Sequence, residues 1–82
     1  MKVTTFDRKK WGLFTFEKIG YDRSSQLLIV FYLDGSMLEI CPIEEHKIFE
    51  LLLSTDKETL IHEHFQIKYP SFVHEKRTFL LA

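Results

Sequence analysis

The 82-residue chain contains one cysteine, three glycines and two prolines, and its formal net charge is −1. A lone thiol, Cys41, closes no internal disulfide, which argues against an oxidised, stapled scaffold and for a reducing compartment. With so little Gly and Pro and 45% hydrophobic residues, a disordered or fibrous tract is excluded. The absence of excess charge means that no whole-molecule field draws in nucleic acid. The longest apolar run, Leu27–Leu33, is far too short to span a bilayer. The opening MKVTTFDRKK lacks the apolar stretch of a signal peptide. The expectation is a cytoplasmic protein that engages no membrane. Gly12, Gly20 and Gly35 are isolated, so no phosphate-cradling loop is visible. There are no repeats.

What the chain does have is aromatic residues, 15% of the total with eight Phe. Its length leaves room for one core, so 1–82 is read as a single domain. Such a domain buries only about 60–65% of its unfolded surface and gains from a partner subunit. LFTFEKI (Leu13–Ile19) and LLIVFYL (Leu27–Leu33) read as strands. Asp34-Gly35 signals a tight hairpin into a third strand, SMLEIC. A two-residue loop would set Leu33 opposite Ser36 and Phe31 opposite Leu38. Ile29, Phe31, Leu33, Leu38 and Ile40 would then face the core, with Leu28, Val30, Tyr32, Met37, Glu39 and Cys41 on the other side. Pro42 breaks the strand, and EEHKIFELLL forms a helix whose apolar arc of roughly 200° calls for cover on two sides. A second helix starts in STDKET, where Thr55 and Glu58 have capping-box spacing, and stops at Tyr69-Pro70. The fold class is α+β: a three-stranded antiparallel meander, then two helices on one face, with SFVHEKRTFLLA as an extra strand or an arm.

IGYD (Ile19–Asp22), LLIVFYLDG (Leu27–Gly35), Cys41-Pro42, IFELLLS (Ile48–Ser54) and HFQIKYP (His64–Pro70) follow one another in a recognisable order and spacing. From about Glu17 to Pro70 the chain resembles the KTSC domain, a small module named for its occurrence at the C-terminus of some lysyl-tRNA synthetases. Residues 1–16 then form a basic, aromatic N-terminal extension and 71–82 a C-terminal arm. The family's Ser-Gly link between the helices is here STDKET, without glycine. The resemblance implies a module with no established catalytic residue, and the tRNA enzyme makes nucleic-acid contact an alternative.

LIHEHF (Leu60–Phe65) holds the histidines most suggestive of chemistry. With Leu60 as origin on a regular helix, His64 lies at about 40°, inside the apolar arc, and His62 at about 200°, in solvent. The two cannot share a metal there, since helical ligand pairs need i, i+3 or i, i+4 spacing. His62 pairs instead with Glu58, one turn back, while His64 is a core or interface histidine with a ligand contact as the alternative. His46 and His74 belong to no motif, and Cys41 reads as structural. No catalytic, cofactor-binding or metal-binding residue is assigned.

The basic cluster Arg8, Lys9, Lys10 and Trp11, with Lys18, reads as a solubilising edge, with nucleic-acid contact as the alternative. The better lead is the outer sheet face, where Leu28, Val30, Tyr32 and Met37, with Trp11 and Leu13, would form an apolar patch. A TFLLA arm folding back would cover that patch; otherwise it is an interface. The expected function is a non-enzymatic binding module that self-associates into a homo-oligomer or meets a protein partner. The first alternative is a nucleotide- or nucleic-acid-sequestering protein, such as a phage or mobile-element inhibitor. A small metal-dependent enzyme is the third class, and it lacks a motif.

Overall fold

The computed structural model describes residues 1–74. The fold is α+β, with five antiparallel strands in one sheet: β1 (Lys2–Thr5), β2 (Phe16–Asp22), β3 (Leu27–Tyr32), β4 (Met37–Ile40) and β5 (Ser71–His74). Their order across the sheet is their order in the chain. Helices α1 (Arg8–Trp11) and α2 (Glu45–Leu53) follow β1 and β4. A third, α3 (57–68), consists of an α-turn Lys57–Thr59, a π-helical segment Leu60–Phe65 and an α-turn Gln66–Lys68. The expected meander is the middle of this sheet, and one strand is added at each margin. β5 occupies the start of the expected C-terminal arm; the TFLLA end lies outside the described residues.

The stretch expected to be an extension, residues 1–16, is integral. Its β-branched Val3-Thr4-Thr5 run pairs with β2 in the register Thr4↔Ile19. Asp7 then caps α1, its Oδ1 accepting from Lys9 N at 3.0 Å and Lys10 N at 3.3 Å. Gly12, at φ +64°, ends that single turn in the left-handed region. Residues Phe14 and Thr15 turn their amides to Glu58 on α3, so β2 begins at Phe16 and not at Leu13.

The β3–β4 hairpin differs from expectation by one residue, and the difference inverts β3. Its loop has three residues, 33–35: Tyr32 N donates to Ser36 O at 3.0 Å, and Gly35, at φ +95°, donates to Tyr32 O at 3.1 Å. Asp34 Oδ1 fastens the turn by accepting from Ser36 N and Ser36 Oγ at 2.8 and 2.6 Å. Phe31 therefore faces Met37 and Val30 faces Leu38. A one-residue slip moves every side chain of a strand to the opposite face. Leu28 and Val30 lie in the core with Leu38 and Ile40, all four at 0% exposure, and Ile29 and Phe31 point outward.

α2 and α3 cover the inner face, with Ile48, Leu51, Ile61 and Phe65 completing a core that includes Phe16, Ile19 and Ile43. Tyr21 donates its hydroxyl to Ile43 O at 2.7 Å, satisfying the one polar atom it brings inside. Phe49 and Leu53, one turn apart on α2, stay 55% and 80% exposed. The wide apolar arc of α2 is thus only partly met by the sheet.

Candidate binding surface

The outer sheet face can be read directly from the strand registers. One cross-strand row runs Thr5, Lys18, Phe31, Met37, His74, and the next runs Val3, Gly20, Ile29, Glu39, Phe72. Ile29, Phe31 and Met37 are half-buried in the centre, and Val3 and Phe72 are more open on either side. Met1 lies over Gly20, where a Cβ would sit 2.7 Å from the flexible Met1 Sδ. The polar members lie beside and between the apolar ones, with Glu39 between Ile29 and Phe72. Lys18 lays its ammonium 5.0 Å from the Phe31 ring. His74 stacks on Phe72 at 4.6 Å and contacts Glu39 Oε1 at 3.2 Å.

Of the residues expected to form an apolar patch on this face, only Met37 is there, and Glu39 lies beside it as expected. Leu28 and Val30 are core residues, displaced by the three-residue turn. Tyr32 lies half-buried on the inner side, edge-on to Phe16 at 6.5 Å. Leu13 is buried. The ring of Trp11 faces inward onto Lys57 Nζ at 3.9 Å. The basic cluster does not act as one: Arg8 pairs with Glu17 at 3.2 Å, Lys18 belongs to the outer face, and Lys9 and Lys10 are exposed on α1.

Lys57 and Glu58, read from sequence as helix-start residues, form the contact that seats the N-terminal segment. Lys57 is 1% exposed. Its Nζ donates to the carbonyls of Leu51, Leu52 and Ser54 at 2.8–2.9 Å, closing the carbonyl end of α2. The rings of Trp11 and Phe6, at 3.9 and 5.0 Å, cover the same ammonium. Burial draws the Lys57 pKa below the ordinary lysine value, while the carbonyls, the helix end and the ring faces all favour the charged form. Glu58 Oε2 accepts from Phe14 N, Thr15 N and Thr15 Oγ1 at 2.7–2.8 Å. Burial pushes its carboxyl up, but the bonds from Thr15 and Phe14 outweigh that, and the pKa is lowered. Asp56, not Thr55, caps the helix, accepting from Thr59 N at 3.2 Å. From sequence, the only trace of this clasp is a lysine set just beyond a helix end.

The reading of His62 as a solvent residue holds, and that of His64 as a core residue fails for a backbone reason. Leu60–Phe65 is wound as a π-helix, so the regular 100° wheel does not apply. Ile61 and Phe65 are buried, and His62 and His64 are both exposed. His64 borders a small groove with Lys47, Lys68 and Tyr69. His62 makes its hydrogen bond to Gln66 Oε1 through Nδ1 at 2.6 Å, acts on the expected partner Glu58 only through its charge, and lies nearly parallel to Tyr32, with ring centres 6.3 Å apart and 11° between planes. Cys41 is exposed, its thiol 3.3 Å from Ser25 O. Among the described residues, no three His, Cys, Asp or Glu side chains converge on a metal-sized site, and no helix is long and apolar enough to cross a membrane.

The chain matches no protein-family model, and no curated protein is significantly similar to it.

Proposed function

We propose that this protein is a small non-catalytic binding module, KTSC-like in its sequence pattern, that joins a second copy of itself through the outer face of its sheet. The observation that carries the reading is the strip of Ile29, Phe31 and Met37, flanked by Val3 and Phe72, on a face with no helix layer among the described residues. Phe and Met are residue types enriched at interface centres, and contiguous apolar surface of this kind marks contact sites. A standard interface buries about 800 Å² per partner, roughly one-seventh of this chain's 5544 Å². The partly exposed Phe49 and Leu53 on α2 give a second, smaller apolar contact.

Light scattering after gel filtration tests this. The expected result is a dimer or larger assembly at high micromolar concentration, converted to monomer by Phe31→Glu with an unchanged circular dichroism spectrum. A monomeric parent chain at that concentration overturns the reading.

A further inference from the structure

The registers of the sheet fix which backbone groups of β1 are in use. Phe6 N donates to Glu17 O at 2.7 Å, and the same register pairs Thr4 with Ile19 and Lys2 with Tyr21. Hydrogen-bonded and non-bonded pairs alternate along an antiparallel ladder. Lys2 and Thr4 therefore direct their N–H and C=O to β2, and Val3 and Thr5 turn theirs to the open margin. Among the described residues nothing bonds those groups.

β1 also lacks the usual guards of an edge strand. Its sequence KVTT has no proline, and its pairing has no bulge. Its inner side is open to approach: a cleft of about 430 Å³ lies between it and α2, with Thr4, Ile19, Phe49 and Leu52 among its lining. Backbone donors and acceptors repeating at strand spacing are recognised by extended polypeptide, which adds a strand to the sheet.

A second copy of β1 fits this edge in one register. With a dyad at Thr4, Val3 of each copy lies opposite Thr5 of the other. That makes two pairs with two N–H···O bonds each, four in all. A dyad at Val3 or Thr5 leaves only one such pair within the strands. The Thr4 residues of the two copies then face each other, a favourable cross-strand pair, and Lys2 falls opposite Phe6 and not opposite a second lysine. The sheet already holds an opposed pair of that kind in Lys18 and Phe31, with the ammonium 5.0 Å from the ring.

This dyad also prolongs the outer face. The Val3 row of one copy continues into the Thr5 row of the other, so the strip runs on across the joint. Alone, the edge is too short to hold two copies: isolated two-stranded pairing is marginal, and a standard interface needs about 800 Å² per partner. Two face-to-face pairs, however, meet through two such edges at once.

We propose that two copies of this protein join antiparallel along β1, about a dyad at Thr4, and so link two face-to-face pairs into a tetramer. The proposal rests on the outer-face pairing above, and its test separates the two.

The test is disulfide capture. Residues opposed in a non-hydrogen-bonded antiparallel pair have Cα atoms about 4.5 Å apart, within the span of about 4.4–6.8 Å that a disulfide bridges. Thr4→Cys is placed in a chain carrying Cys41→Ser, which removes the exposed native thiol. Under oxidised glutathione it is expected to form covalent dimer at least about tenfold faster than Lys2→Cys in the same chain. Lys2 lies on the same side of β1 and is more exposed, so random collision would favour it, yet in this register its two copies are more than about 13 Å apart. Equal or faster capture of Lys2→Cys in an assembled chain overturns the edge pairing and leaves the outer-face reading standing. A monomeric chain without the Thr4→Cys advantage overturns both. Adding Phe31→Glu is expected to abolish the advantage; its persistence overturns the dependence on the outer face. Thr5→Pro removes an amide that bonds nothing within the chain, a position where an edge strand accepts proline. It is expected to halve the mass seen by light scattering with a native dichroism spectrum, and an undiminished mass with that spectrum overturns the proposal.

Discussion

Along β3 the inner and outer faces of the sheet carry the same kinds of residue and have different fates. Leu28, Val30, Leu38 and Ile40 inside are fully covered, while Ile29, Phe31 and Met37 outside are covered in part. Hydrophobicity does not separate the two sets, because every residue from Leu27 to Leu33 is apolar. What separates them is the turn. The third loop residue and the Asp34–Ser36 bonds fix which alternate residues of β3 meet the helices. The general lesson is that a two-sided apolar strand encodes its pairing weakly in its own sequence and depends on its turn for register.

The largest effect should come from setting neighbours against each other. Leu28→Asp places a charge at a site with no exposure and is expected to cost more than about 4 kcal/mol, enough to unfold a marginal domain. Ile29→Asp, one residue on, is expected to cost less than about 1 kcal/mol in urea denaturation while weakening self-association. The opposite pattern would mean that the two faces have been exchanged.

A smaller effect sharpens why the inner face stays covered. Lys57→Met keeps the stem and removes the ammonium, leaving the carbonyls at the end of α2 without their donor. A loss of about 2 kcal/mol is expected, partly offset by relief from burying the charge. Trp11 is the only tryptophan and packs on that ammonium, so its fluorescence should shift to the red in the folded variant. A melting temperature and emission spectrum equal to the parent's would show that the lysine is not needed there.

The smallest effect is a slope. Glu58 has a folded pKa below its ordinary value, so the folded state holds its proton less tightly than the unfolded chain does. Its contribution is fully present above the ordinary glutamic acid pKa and is lost as the pH falls through the lower folded value. Melting temperatures in acid should therefore decline less steeply in Glu58→Gln than in the parent. Identical slopes would assign the acid sensitivity to other carboxylates.

Much of this architecture was legible in the sequence. The β3–β4 hairpin, α2 and the stop at Tyr69-Pro70 each have a local cause in strand propensity, helical periodicity or proline sterics. Leu38 and Ile40 were placed correctly because β4 alternates, with Glu39 between them. β3 was misplaced because it does not alternate. Residues 1–16 read as an extension because their anchor, the Lys57–Glu58 pair, lies more than forty residues away, and distant side-chain contacts leave no local pattern. His64 was misassigned because the wheel presumes α winding, and LIHEHF does not announce its departure from it; His62 was correctly placed in solvent.

The order of the strands has a further consequence, for the way the molecule comes apart. Because each strand pairs only with its neighbours in the chain, the sheet behaves like a ribbon of leaves, with β3 in the middle paired on both sides. β2, β3 and β4 can zip from short loops, whereas β5 must wait for residues 41–70 to fold back. Unravelling should run in reverse, from the margins inward, so the amides of β1 and β5 exchange with solvent first and those of β3 last. The strand whose two faces were exchanged in the sequence reading is thus the one whose hydrogen bonds should open only when the whole domain does.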